Sequence, residues 1–222
     1  MERHLQVTAD GSHTLSIPAM QVTYHSKHGA IQESSHVFIN AGLDYYTQLH
    51  KGQSVQVLEM GFGTGLNCLL TAIYARIHEV PVQYHSLEAF PLSPEEVKKL
   101  NYGNILNESE LFEQIHQADW NQSVMLHQGF HLHKHHTTMQ QFAKNQVFNC
   151  IFFDAFAPAA QPELWTETIF ASLFSCLAPG GLLVTYCSKG NVRRTMEASG
   201  FRVTKIPGPP GKREMVRAFK DS

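Results

Sequence analysis

Charge is scarce in this 222-residue sequence: only 16% of residues are Asp, Glu, Lys or Arg, against about a quarter in an average soluble domain. With 43% hydrophobic residues, that balance excludes a disordered polyelectrolyte. Cysteine is scarce as well. Cys68, Cys150, Cys176 and Cys187 form no CxxC pair, so they read as reduced thiols of a cytoplasmic protein, not a disulfide framework or a zinc site. No apolar run approaches the ~20 residues of a membrane span. The opening MERHLQVTADGSH lacks the apolar stretch of a secretory signal. Repeats and low-complexity tracts are missing too. A chain of this length suits one large domain, with or without a small appendage.

What charge there is lies unevenly. From Tyr186 onward nine basic residues face three acidic ones, a net +6. The first 185 residues then hold eight basic and sixteen acidic residues, a net −8. A basic end on an acidic body suits an anionic partner such as nucleic acid, or simply solvated faces.

Residues 5–40 read as β structure. Leu5–Ala9 and His13–Ile17 alternate around Asp10-Gly11, a hairpin turn pair. Val22–His25 and Val37–Ile39 read as further strands, and Leu43–Leu49 as a short helix. From Val55 strands alternate with helices. Strands are expected at Val55–Met60, Val82–Glu88, Val124–His127, Phe148–Asp154 and Leu182–Tyr186, and helices at Leu66–Ile77, Asn107–His116, Pro162–Cys176 and Val192–Ala198. Ser93, with Pro94 next and Glu96 three residues on, is a capping box. Pro179-Gly180-Gly181 reads as a turn. Phe201–Ile206 and Met215–Phe219, joined by GPPGKR, read as a closing antiparallel hairpin. The whole is expected as a doubly wound, Rossmann-like α/β sheet with an antiparallel C-terminal strand. Residues 51–222 would form that domain, and residues 1–50 a small N-terminal β extension over the site.

The sharpest chemical signal is VLEMGFGTGLN (57–67), a strand, a glycine-rich turn and a helix start. Gly61, Gly63 and Gly65 do not make GxGxxG, because the third comes one residue early. The E-x-G-x-G-x-G pattern resembles the first motif of class I S-adenosylmethionine methyltransferases, although a nucleotide loop or a structural turn also fits. Glu88 ends the next strand, where a carboxylate can accept both hydroxyls of a ribose; that serves NAD equally. Asp154 ends the fourth strand in DAFAP, facing the ligand crevice. It could orient an amine and take its proton, with Phe156 walling the methyl group from water. The run HLHKHH (131–136) offers His at i, i+2, i+4, but no carboxylate or cysteine joins it. It reads as a solvated loop or helix start, with no metal expected.

Longer segments carry a stronger resemblance: DGSHTL (10–15), YHS.HGAIQES.HVFINAGL (24–43), LEMGFGTGLN (58–67), SLEAFPL (86–92), FFDAFAPAAQPELW (152–165), LAPGGLLVTYCSKGNVRR (177–194) and GFRV..IPGPPGKREM (200–215). Together they resemble the tRNA 5-(aminomethyl)-2-thiouridine methyltransferase family, the stand-alone MnmD type and the methyltransferase half of bifunctional MnmC. The resemblance implies a class I methyltransferase fold, S-adenosyl-L-methionine as cofactor, and N-methylation of an aminomethyl uridine at the tRNA wobble position. It implies that Glu59, Gly61, Phe62, Gly63, Gly65 and Asn67 line the methionine side of the cofactor. Glu88 would hold the ribose, Gly129 and Phe130 would lie beside the adenine, and Asp154 would face the substrate amine. Phe156 and Pro158 would shape the pocket, with Tyr24 and Glu33 folding over it. Arg193, Arg194, Lys212 and Arg213 would hold phosphates of the anticodon arm. The family often has an acidic residue where Phe130 stands, so Phe130 either stacks on the adenine or is plain core, with adenine read by backbone groups. The sequence ends at Ser222 without a second dinucleotide motif, so the FAD-dependent half is not expected. Competing expectations are a methyltransferase acting on a small-molecule or protein amine, an NAD-linked oxidoreductase, and a non-catalytic RNA-binding module.

Overall fold

Val55–Met60 (β4) and Phe148–Phe153 (β8) are short runs with nearly every side chain buried, as strands covered on both faces require. A computed structural model describes residues 2–142 and 147–221 and places these two side by side at the centre of an eight-stranded sheet. Val82–Glu88 (β5) and Phe130–His136 (β7) extend the parallel sheet on one side of β4. Leu177–Thr185 (β9) extends it beside β8. Arg202–Pro207 (β10) and Glu214–Phe219 (β11) close one edge as the expected antiparallel hairpin. Ser123–His127 (β6) closes the other edge, antiparallel to β7. The strand order is β10-β11-β9-β8-β4-β5-β7-β6.

Both faces of the sheet are covered. One core packs Leu66–Ile77 (α3) and Ser109–Gln117 (α6) against Val57, Tyr84, Leu132 and Phe152. The other packs Glu167–Cys176 (α7) and Gly190–Ala198 (α8) against Leu58, Ile151, Phe153 and Leu183. Local signals behave as read. Ser93 accepts from the Glu96 amide and Glu96 reaches back to Ser93. Gly200, at φ +104°, ends α8.

Three expectations are corrected. The third parallel strand is β7, not Val124–His127, so HLHKHH is neither a loop nor a helix start. Phe130, Leu132 and Lys134 point to one buried face, and the lysine hid that alternation from an apolar reading. The N-terminal segment is β structure only at His4–Val7 (β1), His13–Ile17 (β2) and Val22–Thr23 (β3). Val37–Ile39 is not a strand. Ala30–Ser34 (α1) runs through a wide π-helical stretch, Ser35–Asp44, into Tyr45–Leu49 (α2). This helix lies on the sheet, and a Cβ at Gly42 would come within 2.9 Å of the Val184 side chain. Pro179-Gly180-Gly181 belongs to β9, at an irregularity in its pairing with β8.

The hairpin turn is tied to this helix. The Asp10 carboxylate accepts from the Ser12 amide at 3.0 Å and from the Gln32 amide at 3.1 Å. Residues 2–29 bring Arg3, Met20, Tyr24 and His25 to the carboxyl-terminal edge of the sheet, where ligand crevices of such sheets form.

Candidate active site

A cavity of about 400 Å³ opens at that edge. The glycine turn supplies its rim. Gly61, Gly63 and Gly65 all have positive φ, at +92°, +52° and +73°. A Cβ at Gly63 would lie 3.1 Å from the Tyr24 ring, and one at Gly65 would lie 2.9 Å from His116 Nε2. The loop needs glycine for conformation and for room alike.

Three carboxylates surround the turn. Glu88 Oε2 accepts from the Gly63 amide at 2.9 Å and Oε1 from the Phe90 amide at 2.8 Å, leaving acceptor capacity toward the cavity. Glu59 is fully buried behind the loop. Its Oε2 accepts from Ser86 Oγ at 2.6 Å. Its Oε1 accepts no well-formed hydrogen bond, although the Asn67 and Tyr84 side chains are close enough to favour its charged form. Burial dominates and pushes its pKa up to about 8. Asp154, partly buried at the cavity floor, accepts from Asn67 Nδ2 at 2.8 Å. Burial, and then the charge of Glu33, raise it to about 7.

The DAFAP loop is held from all sides. The Asp154 amide bonds to the Met60 carbonyl at 3.2 Å. Tyr186 OH donates to the Ala155 carbonyl at 2.9 Å. The Phe156 amide donates to Gln161 Oε1 at 3.0 Å, and Trp165 Nε1 donates to the Phe156 carbonyl at 2.8 Å. These contacts give a structural role to the AQPELW segment. Phe156 meets Tyr24 edge-on, with centroids 5.1 Å apart.

Gly61, Phe62, Gly63, Asn67, Glu88, Asp154, Phe156 and Tyr24 thus converge on the cavity. Gly65 and Glu59 sit directly behind it. Pro158 lies in the same loop outside the lining. Gly129 and Phe130 are elsewhere. Phe130 pairs with Val82, six residues before Glu88 along β5, about 20 Å away at strand rise, and is fully buried core. The residues that follow β7 at the cavity are Thr137, Thr138, Met139 and Gln140. They were missed because β7 was. Arg3 was missed as well: its guanidinium donates to Tyr24 OH at 3.0 Å, to Glu96 at 3.2 Å and to the Phe90 carbonyl at 2.8 Å. That latches β1 over the cavity, and no local pattern announces it.

Of the basic residues, Lys212 is engaged in an ion pair. Its Nζ lies 2.5 Å from Glu33 Oε1 and 3.9 Å from the Tyr186 ring centre. Glu33 Oε2 also accepts from the Ser26 amide at 2.7 Å. The pair is near enough to act on Asp154, so GKREM reaches the site through Glu33. Arg194 and Arg213 are exposed and Arg193 is half-buried, bonding through Nε to the Ser188 carbonyl at 3.3 Å. None of the three lines the cavity.

Residues 93–221 match a family described as S-adenosyl-L-methionine-dependent methyltransferase. The chain is 30% identical over 211 residues to the tRNA 5-methylaminomethyl-2-thiouridine biosynthesis bifunctional protein MnmC of Pseudomonas fluorescens (strain Pf0-1). It is 32% identical over 211 residues to the protein of the same name from Ectopseudomonas mendocina (strain ymp). Each alignment covers 87% of this chain and 31% of the relative, so the chain spans about a third of their length. In fold it superposes on the crystal structure of MNMC2 from Aquifex aeolicus with a TM-score of 0.82, 23% identity, and coverage of 100% of this chain and 71% of that one.

Proposed function

The chain belongs to the S-adenosyl-L-methionine-dependent methyltransferase family, and on that premise we propose that it methylates the primary amine of 5-aminomethyl-(2-thio)uridine at the tRNA wobble position. The product is the 5-methylaminomethyl uridine. The relatives' names support the substrate, and the observation that carries the chemistry is Asp154. It is a carboxyl raised to about 7 by burial, held by Asn67 between the glycine loop and an aromatic wall.

The residues present fit the cofactor. Gly61 and Gly63 line the cavity without side chains to occupy it. Glu59 Oε1 and Asn67 Oδ1 are buried without hydrogen-bond partners beside it, and unmatched buried acceptors suit a cationic ligand. Glu59 and Asn67 would hold the methionine side, and Glu88 the ribose. S-Adenosyl-L-methionine supplies an electrophilic methyl group.

The chain's own residues do the rest. An ammonium must lose a proton before its lone pair can attack. Asp154 accepts an N–H hydrogen bond, aims the nitrogen and takes that proton. Phe156 and Tyr24 close the side of the cavity and keep water from the reacting atoms. Residues 1–50 act as an extension that folds over this site, and residues 51–222 as the catalytic domain. Arg193, Arg194 and Arg213 meet phosphates of the anticodon arm in this reading, with the base splayed out of its stack. Lys212 contributes through Glu33. The enzyme would act in the cytoplasm; no described helix is long and apolar enough to cross a membrane.

The test is methyl transfer from labelled S-adenosyl-L-methionine to tRNA from cells lacking this activity, read by nucleoside mass spectrometry. Conversion of aminomethyl to methylaminomethyl uridine is expected. Cofactor binding without transfer to tRNA would refute the tRNA reading and leave a small-molecule or protein amine as acceptor. Arg193→Glu with Arg194→Glu should raise KM for tRNA and leave cofactor affinity unchanged.

A further inference from the structure

The histidine run, once placed on β7, has a consequence outside the cavity. His133 and His135 stand two residues apart and therefore share one face of the strand. His85 is paired with His133 across the β5–β7 ladder and faces the same way. One nitrogen from each of the three rings lies within 4.8 Å of the others. His85 Nδ1 and His135 Nε2 share a hydrogen bond at 3.0 Å. No carboxylate or cysteine belongs to the group.

We propose that His85, His133 and His135 form a binding site for one zinc-class divalent cation, three imidazole ligands from two adjacent strands with water in the fourth position. The ligand set is the one such ions accept: neutral nitrogen donors, with an open place for solvent. At zinc–nitrogen distances of about 2.0–2.1 Å, tetrahedral ligands sit roughly 3.4 Å apart, inside the present spread. The rings now lie nearly parallel, His133 on His135 at 3.9 Å and 9°. Binding requires them to turn about Cβ–Cγ so that their lone pairs converge. His133 and His135 are half-exposed, which leaves space for that turn and a path for water.

The surroundings favour the neutral donor form. Phe148 packs edge-on against His85, and Phe142 against His135. Burial lowers the pKa of His85 and His135 to about 4, with neighbouring histidines adding to it. Burial alone lowers His133. Lys134, between His133 and His135 in sequence, points to the other face, toward Phe62 and Trp120. The ion would tie β5 to β7 just before Thr137, whose amide bonds to the Glu88 carbonyl at 3.1 Å. It would therefore brace the strand ends that carry the ribose carboxylate without touching the reacting atoms.

The experiment uses the full chain stripped with a chelator, titrated with ZnCl2 against a chromophoric competitor and with CoCl2 by visible absorption. One equivalent of zinc should bind, and cobalt should give the intense bands of a four-coordinate nitrogen site. His133→Ala with His135→Ala should weaken zinc at least about 100-fold, whereas His136→Ala, at the end of the same strand, should leave it unchanged. Zinc should also raise the melting temperature of the wild-type chain, reversed by chelator. The cobalt spectrum and this shift need no variant, so they decide the matter even if the double substitution fails to fold. A weak six-coordinate cobalt spectrum, no thermal shift, or zinc affinity indifferent to His133 and His135 would each overturn the proposal.

Discussion

Replacing Asp154 with asparagine should make the protein more stable and less active. In the fold this carboxyl titrates at about 7, against an ordinary value of 3.8. Between those two values the folded chain holds a proton that the unfolded chain has released. Stability therefore falls as pH rises through that window and stays reduced above it. Three pK units correspond to roughly 4 kcal/mol. Asparagine removes the ionisation and can still accept from Asn67, although the bond loses its charge assistance, worth about 1 kcal/mol. Glu59, which also feels the Asp154 charge, is relieved by the same change. The expected gain is roughly 2–3 kcal/mol at pH 8, or about 5–10 °C in Tm for a chain of this size. It should largely vanish near pH 4, where the folded wild-type carboxyl is protonated and the unfolded one is close to its ordinary value of 3.8. Thermal denaturation at pH 4, 6 and 8 measures it. Single-turnover methyl transfer should meanwhile slow by about 10²–10⁴-fold, the usual contribution of a positioned acid–base group. A variant less stable than wild type at pH 8, or one with the same pH slope, would refute the burial argument. Unchanged turnover at every pH would remove Asp154 from the chemistry.

Glu88→Gln should loosen cofactor binding about 10–100-fold by calorimetry, since an amide can offer the Gly63 and Phe90 N–H groups only one oxygen. Gly63→Ala should strain a residue at φ +52° and crowd Tyr24; a loss of cofactor affinity with secondary structure intact is expected from calorimetry and circular dichroism. Lys212→Met should leave the Glu33 carboxylate buried and unpaired. Because Lys212 is a third exposed, the cost should be about 2 kcal/mol in urea denaturation, less than a fully buried pair. Adding Glu33→Gln should recover most of that loss, and additive effects of the two changes would show that the pair is not coupled.

Local chemistry made much of the molecule legible from the sequence. The glycine turn needs positive φ at Gly61, Gly63 and Gly65, and the sequence places glycine at each. The Ser93 cap closes within four residues. The central strands β4 and β8 are mostly apolar and almost wholly buried because both their faces are covered, with Glu59 near the end of β4 and Asp154 directly after β8. Strand pairing across distance was another matter. β7 carries Lys134 among its buried positions. That lysine is tolerable only because its ammonium donates to the His116 carbonyl at 3.0 Å and lies 4.8 Å from the Trp120 ring. No window on β7 itself contains those partners, so the local sequence does not announce the strand or fix Phe130 within it. Val37, Phe38 and Ile39 are apolar strand formers, yet helical, because the sheet beneath them accepts a helix whose Gly42 fits against Val184. Glu33 meets Lys212 across 179 residues of chain. Sequence determined which groups could turn, cap, accept or ionise, since those properties belong to single residues and their near neighbours. Only the tertiary structure decided which were brought together, because burial and pairing are properties of the whole packed chain.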